Sequence, residues 1–454
     1  MVSGVFDDAL IKHLWSTDEL RAIFNDHNRV QKWLDFEAAL AIEQGELGII
    51  PKAAAADIAA NAKVSKIDID AVATEIRRIK HPLVPAVKAV QKLCQGDQGE
   101  YIHFGPTTQD VLDTAVMLQI KEAHAIYLRD MKAIGNALVK LCEAHRDTPM
   151  VGRSHGVQAL PITFGHKAAI WLSEMGRHYE RMREVEPRVF VGGMVGAVGT
   201  QASFGPKAKA LEQRLMKRLG LGVADINWQP ARDRFAEYVN LLGLVSSTLA
   251  KIANEIIILE HTEIGELYEP FSAGKVGSST MPHKRNPSSC EAVVGASRAL
   301  RYNVPYMLES MLIEHERDGS AWRGEWKAIP ECCLIMGGML SIMKYVLEGL
   351  HVDVKQMRAN LDRLGGFLLS ERVMFVLSDK VGKQTAHDLV YEISMDGIEN
   401  NISFESALMK NAQVKAALSA AELKAALDPT TYVGRAPEIV DEVVAAQHAS
   451  GWLK

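Results

Sequence analysis

The sequence predicts an all-α protein built around a bundle of long helices. Apolar residues recur at three- and four-residue spacing over long segments, and alternating strand-like runs are scarce. Several of the helical segments run well past 20 residues, which is beyond the usual globular length. Helices of this length bury their apolar faces against partner helices, so a bundle is expected. The same faces favour a homo-oligomer whose subunits share a central bundle.

The helical segments divide the chain into three predicted parts. These are an N-terminal helical domain at 1–110, a central long-helix bundle at 111–365 and a C-terminal helical domain at 366–454. The amphipathic segments are 28–46, 111–145, 165–186, 234–265, 290–314 and 331–350. A Gly-rich segment, RVFVGGMVGAVGT at 188–200, interrupts the pattern. It lacks the strand and helix that a dinucleotide site needs on its two sides.

The composition is that of an ordinary soluble globular protein. The 454 residues carry a net charge of −5, with 48% hydrophobic and 24% charged residues. Since no long basic run occurs, neither nucleic acid nor a membrane surface is an expected partner. We predict no transmembrane helix and no signal peptide, and therefore a cytoplasmic location. The five Cys residues lack metal-type spacing, so reduced thiols are expected, with neither metal nor cofactor.

Four polar clusters interrupt the helices, each at the end of a predicted helix. They are IKHPLVP with His81, YIHFGPTTQD with His103, Thr107 and Thr108, VGRSHGVQALP with Ser154, His155 and Gln158, and the loop 274–289 with Ser278, Lys284 and Asn286. Backbone N–H groups and the dipole at a helix end can receive an anion. Singly, each cluster has a structural explanation, such as Thr108 and Asp110 capping a helix. Jointly, their hydroxyl, imidazole, amide and ammonium groups predict a site for a small dicarboxylate.

Three of these segments also carry a family resemblance. The stretch GSSTMPHKRNP resembles the signature loop of the fumarase/aspartase superfamily. The stretches HFGPTTQDVLDT and GRSHGVQALPITFG resemble its two other shared regions, in the same order. The resemblance covers nearly the whole chain. It implies a three-domain, almost all-helical subunit in a homotetramer, with each active site built from three subunits. It also implies cleavage of a C–N or C–O bond β to a carboxylate, usually with release of fumarate.

The resemblance implies a catalytic role for the signature loop. Ser278 matches the base that removes the proton next to a carboxylate. A hydroxyl is a poor base at its normal pKa, so it needs cations and N–H groups nearby. Lys284 is the candidate cation, and Asn286 can hold a carboxylate. Gly274 and Gly277 would let the loop close as a lid.

The other two regions match groups that bind the substrate and protonate its leaving atom. Thr107 and Thr108 match the hydroxyl pair that grips the carboxylates. His155 matches the acid that protonates a leaving nitrogen, and Glu291 matches the carboxylate that orients it. Two further active-site histidines of the adenylosuccinate lyases match His81 and His103.

Two branches of the superfamily compete for this chain. The segment HERDGSAWRGEW resembles a pattern of the 3-carboxy-cis,cis-muconate cycloisomerases. It makes Arg317 a candidate for an extra carboxylate and places Trp322 in the pocket. Those enzymes normally have an aromatic residue at the position of His155 and a small one at that of Glu291. This chain keeps both the acid, His155, and the carboxylate that orients it, Glu291. Adenylosuccinate lyases also keep this His and Glu. They bind the nucleotide phosphate with an Arg-Tyr pair, however, and Leu14-Trp15 stand at that position here.

The sequence therefore predicts a carbon–nitrogen lyase that releases fumarate and an amine from an N-substituted aspartate. Three alternatives stay open: a 3-carboxy-cis,cis-muconate cycloisomerase, an adenylosuccinate lyase, and a non-catalytic structural paralogue. A paralogue of that kind would be expected to lose Ser278, Lys284, Asn286 or His155, and all four are present.

Overall fold

The computed structural model describes residues 4–271 and 277–453 of the chain. Signature-loop residues 274–276, including the hinge candidate Gly274, lie outside the described residues. Over the described part the protein is predominantly helical, as predicted.

The helices follow one another along the whole described chain. The N-terminal helices are α1 (Asp18–Phe24), α2 (Asp26–Glu46), α3 (Lys52–Asn61), α4 (Ile69–Ile79) and α5 (Val84–Gln91). The middle helices are α6 (Thr108–Ala144), α7 (Phe164–Val189), α8 (Ala208–Leu219), α9 (Asp233–Glu260), α10 (Ser288–Glu309) and α11 (Gly319–Glu348). The C-terminal helices are α12 (Val354–Asp362), α13 (Ser370–Val381), α14 (Lys383–Glu399), α15 (Phe404–Lys410), α16 (Ala412–Ala417), α17 (Ala420–Ala426) and α18 (Ala436–Ala449).

The strands of the described residues form three two-stranded pairs. They are β1 (Pro149–Ser154) antiparallel to β2 (Val157–Thr163), β3 (Val191–Gly192) parallel to β4 (Gly222–Val223), and β5 (Leu267–Tyr268) antiparallel to β6 (His351–Val352). The last two pairs join residues far apart in the chain.

The long helices predicted from apolar periodicity are confirmed, and most begin and end within a few residues of their predicted bounds. The exception is α11, which begins at Gly319 rather than at residue 331. Pro330 stands inside this helix, where proline is rare because it removes a backbone hydrogen bond. The earlier start places Trp322 and Trp326 on one face of a helix, at a spacing of four residues.

The segment VGRSHGVQALP was expected at a helix end, and this prediction is wrong. It forms the hairpin of β1 and β2, in which Ser154 pairs with Val157 across a two-residue turn. The turn residues His155 and Gly156 have φ angles of 53° and 77°. A turn with positive φ at both central residues matches the right-handed twist of the flanking strands. His155 is therefore held at the exposed tip of a hairpin.

The described chain divides into two compact units, each made of separate stretches. The first contains the residues up to Met131, His178–Ala250 and Ala292–Ile342. The second contains Lys132–Arg177, 251–291 and the residues from Met343 onward. The division predicted at residues 110 and 365 remains a prediction.

Each unit has a core of its own. In the first unit, the fully buried Tyr127 of α6 donates its hydroxyl to the Cys333 carbonyl of α11, 2.7 Å away. In the second unit, Val373, Phe404 and Leu408 belong to a cluster of buried apolar residues from the C-terminal helices.

Two helices have the length and composition of a membrane span. They are α9, with a mean hydropathy of 1.5, and α11, with a mean hydropathy of 1.3. Of their apolar windows, 61% and 67% is buried inside the protein. Core helices of soluble proteins have the same features, so the two helices are weak evidence for a membrane.

Candidate active site

The start of α6 carries the threonine pair, and His81 contacts it. Helix α6 begins at Thr108, so Thr107 stands directly before the helix. The His81 Nε2 lies 3.2 Å from the Thr108 hydroxyl oxygen, and its Nδ1 accepts the Val84 backbone N–H at 3.2 Å. Burial lowers the pKa of His81, and the nearby His103 lowers it further. His81 is therefore a neutral imidazole beside Thr108.

His103 is the second histidine near this helix start, and its pKa is shifted in the opposite direction. Its Nδ1 lies 2.6 Å from Oε1 of Glu37, a fully buried carboxylate of α2. Burial by itself lowers the pKa of His103, but the charge and hydrogen bond of Glu37 outweigh it and the net pKa is raised. The backbone of His103 has a φ of 55°, an uncommon conformation for a residue with a side chain.

Arg317 completes the polar group at the start of α6. Its Nη1 donates to the Thr107 hydroxyl at 2.6 Å, although 210 residues separate the two in the chain. The structure thus brings together five predicted site residues in the first unit, namely His81, His103, Thr107, Thr108 and Arg317. Two hydroxyls, two imidazoles and the Arg317 guanidinium at a helix N-terminus suit an anionic ligand.

Asp110 fixes this helix start to the Gly-rich segment. Its Oδ1 accepts the Val195 N–H at 2.9 Å and the Gln229 Nε2 at 3.0 Å. Its Oδ2 accepts the Thr107 N–H at 2.9 Å and the Gly196 N–H at 3.0 Å. Burial raises the pKa of Asp110 to about 6, although the backbone N–H donors act against this rise. The Gly-rich interruption seen in the sequence is therefore part of the support of the threonine pair.

Trp322 is held by a buried charge network. Its indole Nε1 donates to Asp113 Oδ1 at 2.7 Å, and Arg232 Nη1 donates to Asp113 Oδ2 at 2.7 Å. Arg232 also forms a two-pronged pair with Glu325, at 2.9 and 2.5 Å. Arg232 is 1% exposed, and its guanidinium lies over the ring of Trp228. The Trp322 N–H is thus already bonded, and its predicted contact with substrate would use the ring surface.

The hairpin of β1 and β2 presents its tip to solvent. Arg153, at its base, donates to both oxygens of the fully buried Glu266, at 3.0 and 2.7 Å. Beyond this ion pair, Ser154 and His155 are exposed. The Gln158 side-chain oxygen is buried with no hydrogen-bond partner among the described residues. A buried polar atom without a partner is costly, so Gln158 remains a good candidate for binding a ligand.

The described part of the signature loop turns around Ser278. The Ser278 Oγ accepts backbone N–H groups of Met281 at 3.1 Å and Thr280 at 3.4 Å. The Asn286 side chain closes the loop by donating to the Gly277 carbonyl at 2.8 Å. A Cβ at Gly277 would collide with the Lys284 carbonyl, so glycine is needed there. Asn286 therefore has a structural contact besides its predicted contact with substrate.

The loop leads into α10, whose start is capped by a buried carboxylate. Glu269 accepts the backbone N–H groups of Ser289 at 3.1 Å and Cys290 at 2.5 Å. Lys284 and Glu291, on either side of this point, are exposed. Among the described residues, the Glu291 side chain forms no hydrogen bond with His155. Their predicted pairing remains part of the proposal that subunits share the active site.

Sequence reasoning missed most of the carboxylates that support the site. Glu37, Glu266 and Glu269 are buried acids, each bonded to a polar or cationic group of a predicted cluster. Their signal in the sequence is weak, because an acid inside an apolar stretch looks like any surface position. Within residues 4–271 and 277–453, no group of three His, Cys, Asp or Glu side chains is placed to hold a metal.

Comparison with known proteins identifies the family. Residues 14–301 match the family described as lyase, and residues 366–443 match the adenylosuccinate lyase C-terminus. The crystal structure of a fumarate lyase from Mesorhizobium sp. BNC1 has a TM-score of 0.90 and 36% identity, covering 98% of this chain and 99% of that one. The chain belongs to the fumarase/aspartase superfamily of lyases, as the three motifs predicted.

Two relatives share one name. The N-acetyl-S-(2-succino)cysteine lyase of Enterococcus italicus is 48% identical over 454 residues, covering 100% of both chains. The protein of that name from Dickeya dadantii is 46% identical over 453 residues, again covering 100% of both. The predicted class of enzyme, a lyase that releases fumarate by β-elimination, is confirmed.

The two branches weighed from the sequence are also relatives, at lower identity. The adenylosuccinate lyase of Pyrococcus abyssi is 40% identical, covering 96% of both chains. The 3-carboxy-cis,cis-muconate lactonizing enzyme of Pseudomonas putida has a TM-score of 0.92 and 34% identity, covering 97% of this chain and 99% of that one. The fold is thus common to both branches, and it does not choose between their reactions.

Proposed function

We propose that the enzyme removes a succinyl group from sulfur, by β-elimination of an S-(2-succino) thiol to fumarate and the free thiol. The observation that carries this proposal is the pair of full-length relatives at 48% and 46% identity, whose name places sulfur on the succinyl carbon. The sequence predicted nitrogen at this position. Both bonds lie β to a carboxylate, and both eliminations leave fumarate.

The proposed reaction begins at Ser278. Its oxygen takes the proton from the carbon next to the distal carboxylate, and the electron pair moves onto that carboxylate. The backbone N–H groups of Thr280 and Met281 support this role, since they stabilise negative charge on the Ser278 oxygen. The Lys284 ammonium is the proposed cation for the same charge. When the electron pair returns, the C–S bond breaks and sulfur leaves as a thiolate.

The group at the start of α6 is proposed to hold the substrate carboxylates. Thr107 and Thr108 offer hydroxyls, Arg317 offers positive charge, and His103 offers an imidazole whose pKa is raised beside Glu37. Donors fixed in place before the reaction stabilise the extra charge of the intermediate without reorganising. Ser154, Gln158 and Asn286 are proposed to complete substrate binding from the other two loops.

An amine is the second candidate for the leaving group, as the sequence predicted. The observation in its favour is that His155 and Glu291 are both present. A thiol has a pKa near 8.5, so its anion leaves readily, whereas an amine leaves badly unless an acid protonates it. An enzyme that acts only on thioethers would have less need of this pair.

We further propose a homotetramer in which each active site takes loops from three subunits. Exposed apolar side chains on the long helices support an extensive helix interface, among them Leu244 of α9 and Tyr302 and Leu308 of α10. Assayed on an N-substituted aspartate, mixed Ser278→Ala and His155→Phe proteins should regain activity, because some sites would then receive both intact loops. No recovery after subunit exchange would contradict shared sites. The cytoplasmic location and the absence of nucleic-acid and membrane partners remain predictions.

The reverse reaction tests which leaving group the enzyme uses. The protein is incubated with fumarate and, separately, N-acetylcysteine, ammonia, aspartate, ethylenediamine and AMP, and adducts are detected by mass spectrometry. We expect an adduct of N-acetylcysteine. An adduct with an amine alone would favour the second candidate. Loss of ultraviolet absorbance from 3-carboxy-cis,cis-muconate, without any adduct, would favour a cycloisomerase.

A further inference from the structure

The first unit contains a cavity of about 340 Å³, and none of the predicted site residues lines it. Helices α2, α4, α6, α9 and α11 contribute to its walls. Most of the lining is apolar, including Trp33, Val72, Leu112, Phe235, Trp326 and Ile329. Protein interiors are close-packed, and an apolar cavity of about 150 Å³ already binds benzene. A cavity of this size therefore indicates a site for an apolar group.

The cavity begins one helical turn from the threonine pair. Thr108, Leu112 and Val116 follow one another at four-residue spacing, so they share a face of α6. Leu112 and Val116 line the cavity. Pro82 also lines it and directly follows His81, whose ring contacts Thr108. A ligand held at Thr108 could thus extend an apolar group along α6 into this space.

Helix α4 forms an apolar wall over the cavity. Its Ile69, Val72, Ala73 and Ile76 recur at helical spacing and all line the cavity. A helix with such a face normally packs it into a filled core. Here the face covers a void, and α4 then leads through Lys80 to His81. An occupant of the cavity would therefore also support the residue that contacts Thr108.

The two buried carboxylates of the cavity wall are already paired. Asp113 accepts from Arg232 and Trp322, and both oxygens of Glu325 accept from Arg232. Because these carboxylates have their partners, the remaining wall offers mainly apolar contact. Acetyl, the acyl group in the relatives' name, would fill a small part of the space.

We propose that this cavity binds the acyl group of the leaving thiol, and that the enzyme accepts S-(2-succino) N-acylcysteines whose acyl group is aromatic or branched and larger than acetyl. This inference rests on the proposed function, because it concerns the same substrate and the same reaction. It makes α4 and the cavity wall the determinants of acyl size.

The test compares N-acetyl- and N-benzoyl-S-(2-succino)cysteine as substrates of three proteins. Ala73→Phe fills the cavity from α4, and Ala71→Phe adds the same ring to the exposed side of that helix. We expect the wild type to cleave both substrates. Ala73→Phe should lower kcat/KM for the benzoyl substrate relative to the acetyl substrate by about tenfold or more. Ala71→Phe should leave the ratio unchanged. The same ratio in all three proteins, or refusal of the benzoyl substrate by a wild type that cleaves the acetyl substrate, would overturn the inference.

A binding measurement separates this inference from the proposed function. N-Benzoylcysteine is titrated into the wild type and both variants, and the fluorescence of Trp33 and Trp326, which line the cavity, reports its binding. Saturable binding to the wild type and Ala71→Phe, but not to Ala73→Phe, supports the cavity site even if neither thioether is cleaved. Equal binding to all three proteins, or none to the wild type, contradicts it. Failure to cleave both thioethers would count against the proposed function alone.

Discussion

In the hydrogen bond between the imidazole of His81 and the hydroxyl of Thr108, the imidazole is the donor. His81 Nδ1 accepts the Val84 N–H at 3.2 Å, so this nitrogen carries no proton. In the neutral ring the proton is therefore on Nε2, which donates to the Thr108 oxygen at 3.2 Å. The Thr108 hydroxyl hydrogen is then free to point away from His81. His81 fixes Thr108 as a donor, which a carboxylate ligand requires.

The first prediction concerns this pair. His81→Ala should lower kcat/KM about fivefold, since the loss of one neutral hydrogen bond costs about 1 kcal/mol. Steady-state kinetics of His81→Ala, Thr108→Ala and the double variant form a cycle. The His81 effect should be much smaller once Thr108 is alanine. Fully additive effects would show that His81 acts independently of Thr108.

The second prediction concerns the proposed base. Ser278→Ala should reduce turnover by at least about a thousandfold, because it removes the oxygen that takes the proton. Ser279→Ala, at the exposed neighbouring position, is the matched control and should stay active. Size-exclusion chromatography should show the same assembly for both variants. Turnover by Ser278→Ala near that of the control would remove Ser278 from the mechanism.

The third prediction separates the two leaving groups. His155→Phe should impair cleavage of an N-substituted aspartate far more than cleavage of an S-(2-succino) thiol, because the thiolate leaves without an acid. The comparison uses kcat/KM of one variant on both substrates, so a folding defect cancels. An equal loss on both substrates would mean that His155 does not act as the acid for the leaving group.

The fourth prediction uses the buried carboxyl of Asp110. Burial raises its pKa from 3.8 to about 6, a change worth about 3 kcal/mol in the folded state. Because the folded pKa is the higher one, this contribution to stability is fully present below pH 3.8 and is lost as the pH rises through about 6. The wild type should therefore gain stability relative to Asp110→Asn as the pH falls from 7.5 towards 4.5.

Denaturant unfolding across that pH range measures the difference. Asp379→Asn, at an exposed aspartate of α13, is the control and should show no comparable trend. A constant difference between the wild type and Asp110→Asn would contradict the raised pKa of Asp110.

The sequence predicted the helical fold well because burial of long apolar faces leaves a clear periodic signal. It placed most of the long helices within a few residues of their bounds. It failed at the segment around His155, where two alternating half-buried strands are too short for a distinct pattern and the turn depends on positive φ at His155 and Gly156.

The contacts that hold the site residues in place were harder to predict than the motifs themselves. Arg317 contacts Thr107 across 210 residues, and Glu37 contacts His103 across 66. Such pairs depend on tertiary packing and leave no local pattern. Trp322 was predicted to line the substrate pocket. Its hydrogen bond to Asp113 could not be predicted, because it requires α6 and α11 to lie side by side. Motifs show which groups are available, and packing decides what each one contacts.

The most direct test of the account is the forward reaction on N-acetyl-S-(2-succino)cysteine. Fumarate is followed by its ultraviolet absorbance, and free thiol is titrated in the same sample with a thiol reagent. We predict that both products appear in equal amounts with the wild type and that neither appears with Ser278→Ala. No fumarate from the thioether, together with fumarate from an N-substituted aspartate, would contradict sulfur as the leaving atom and return the enzyme to amine substrates.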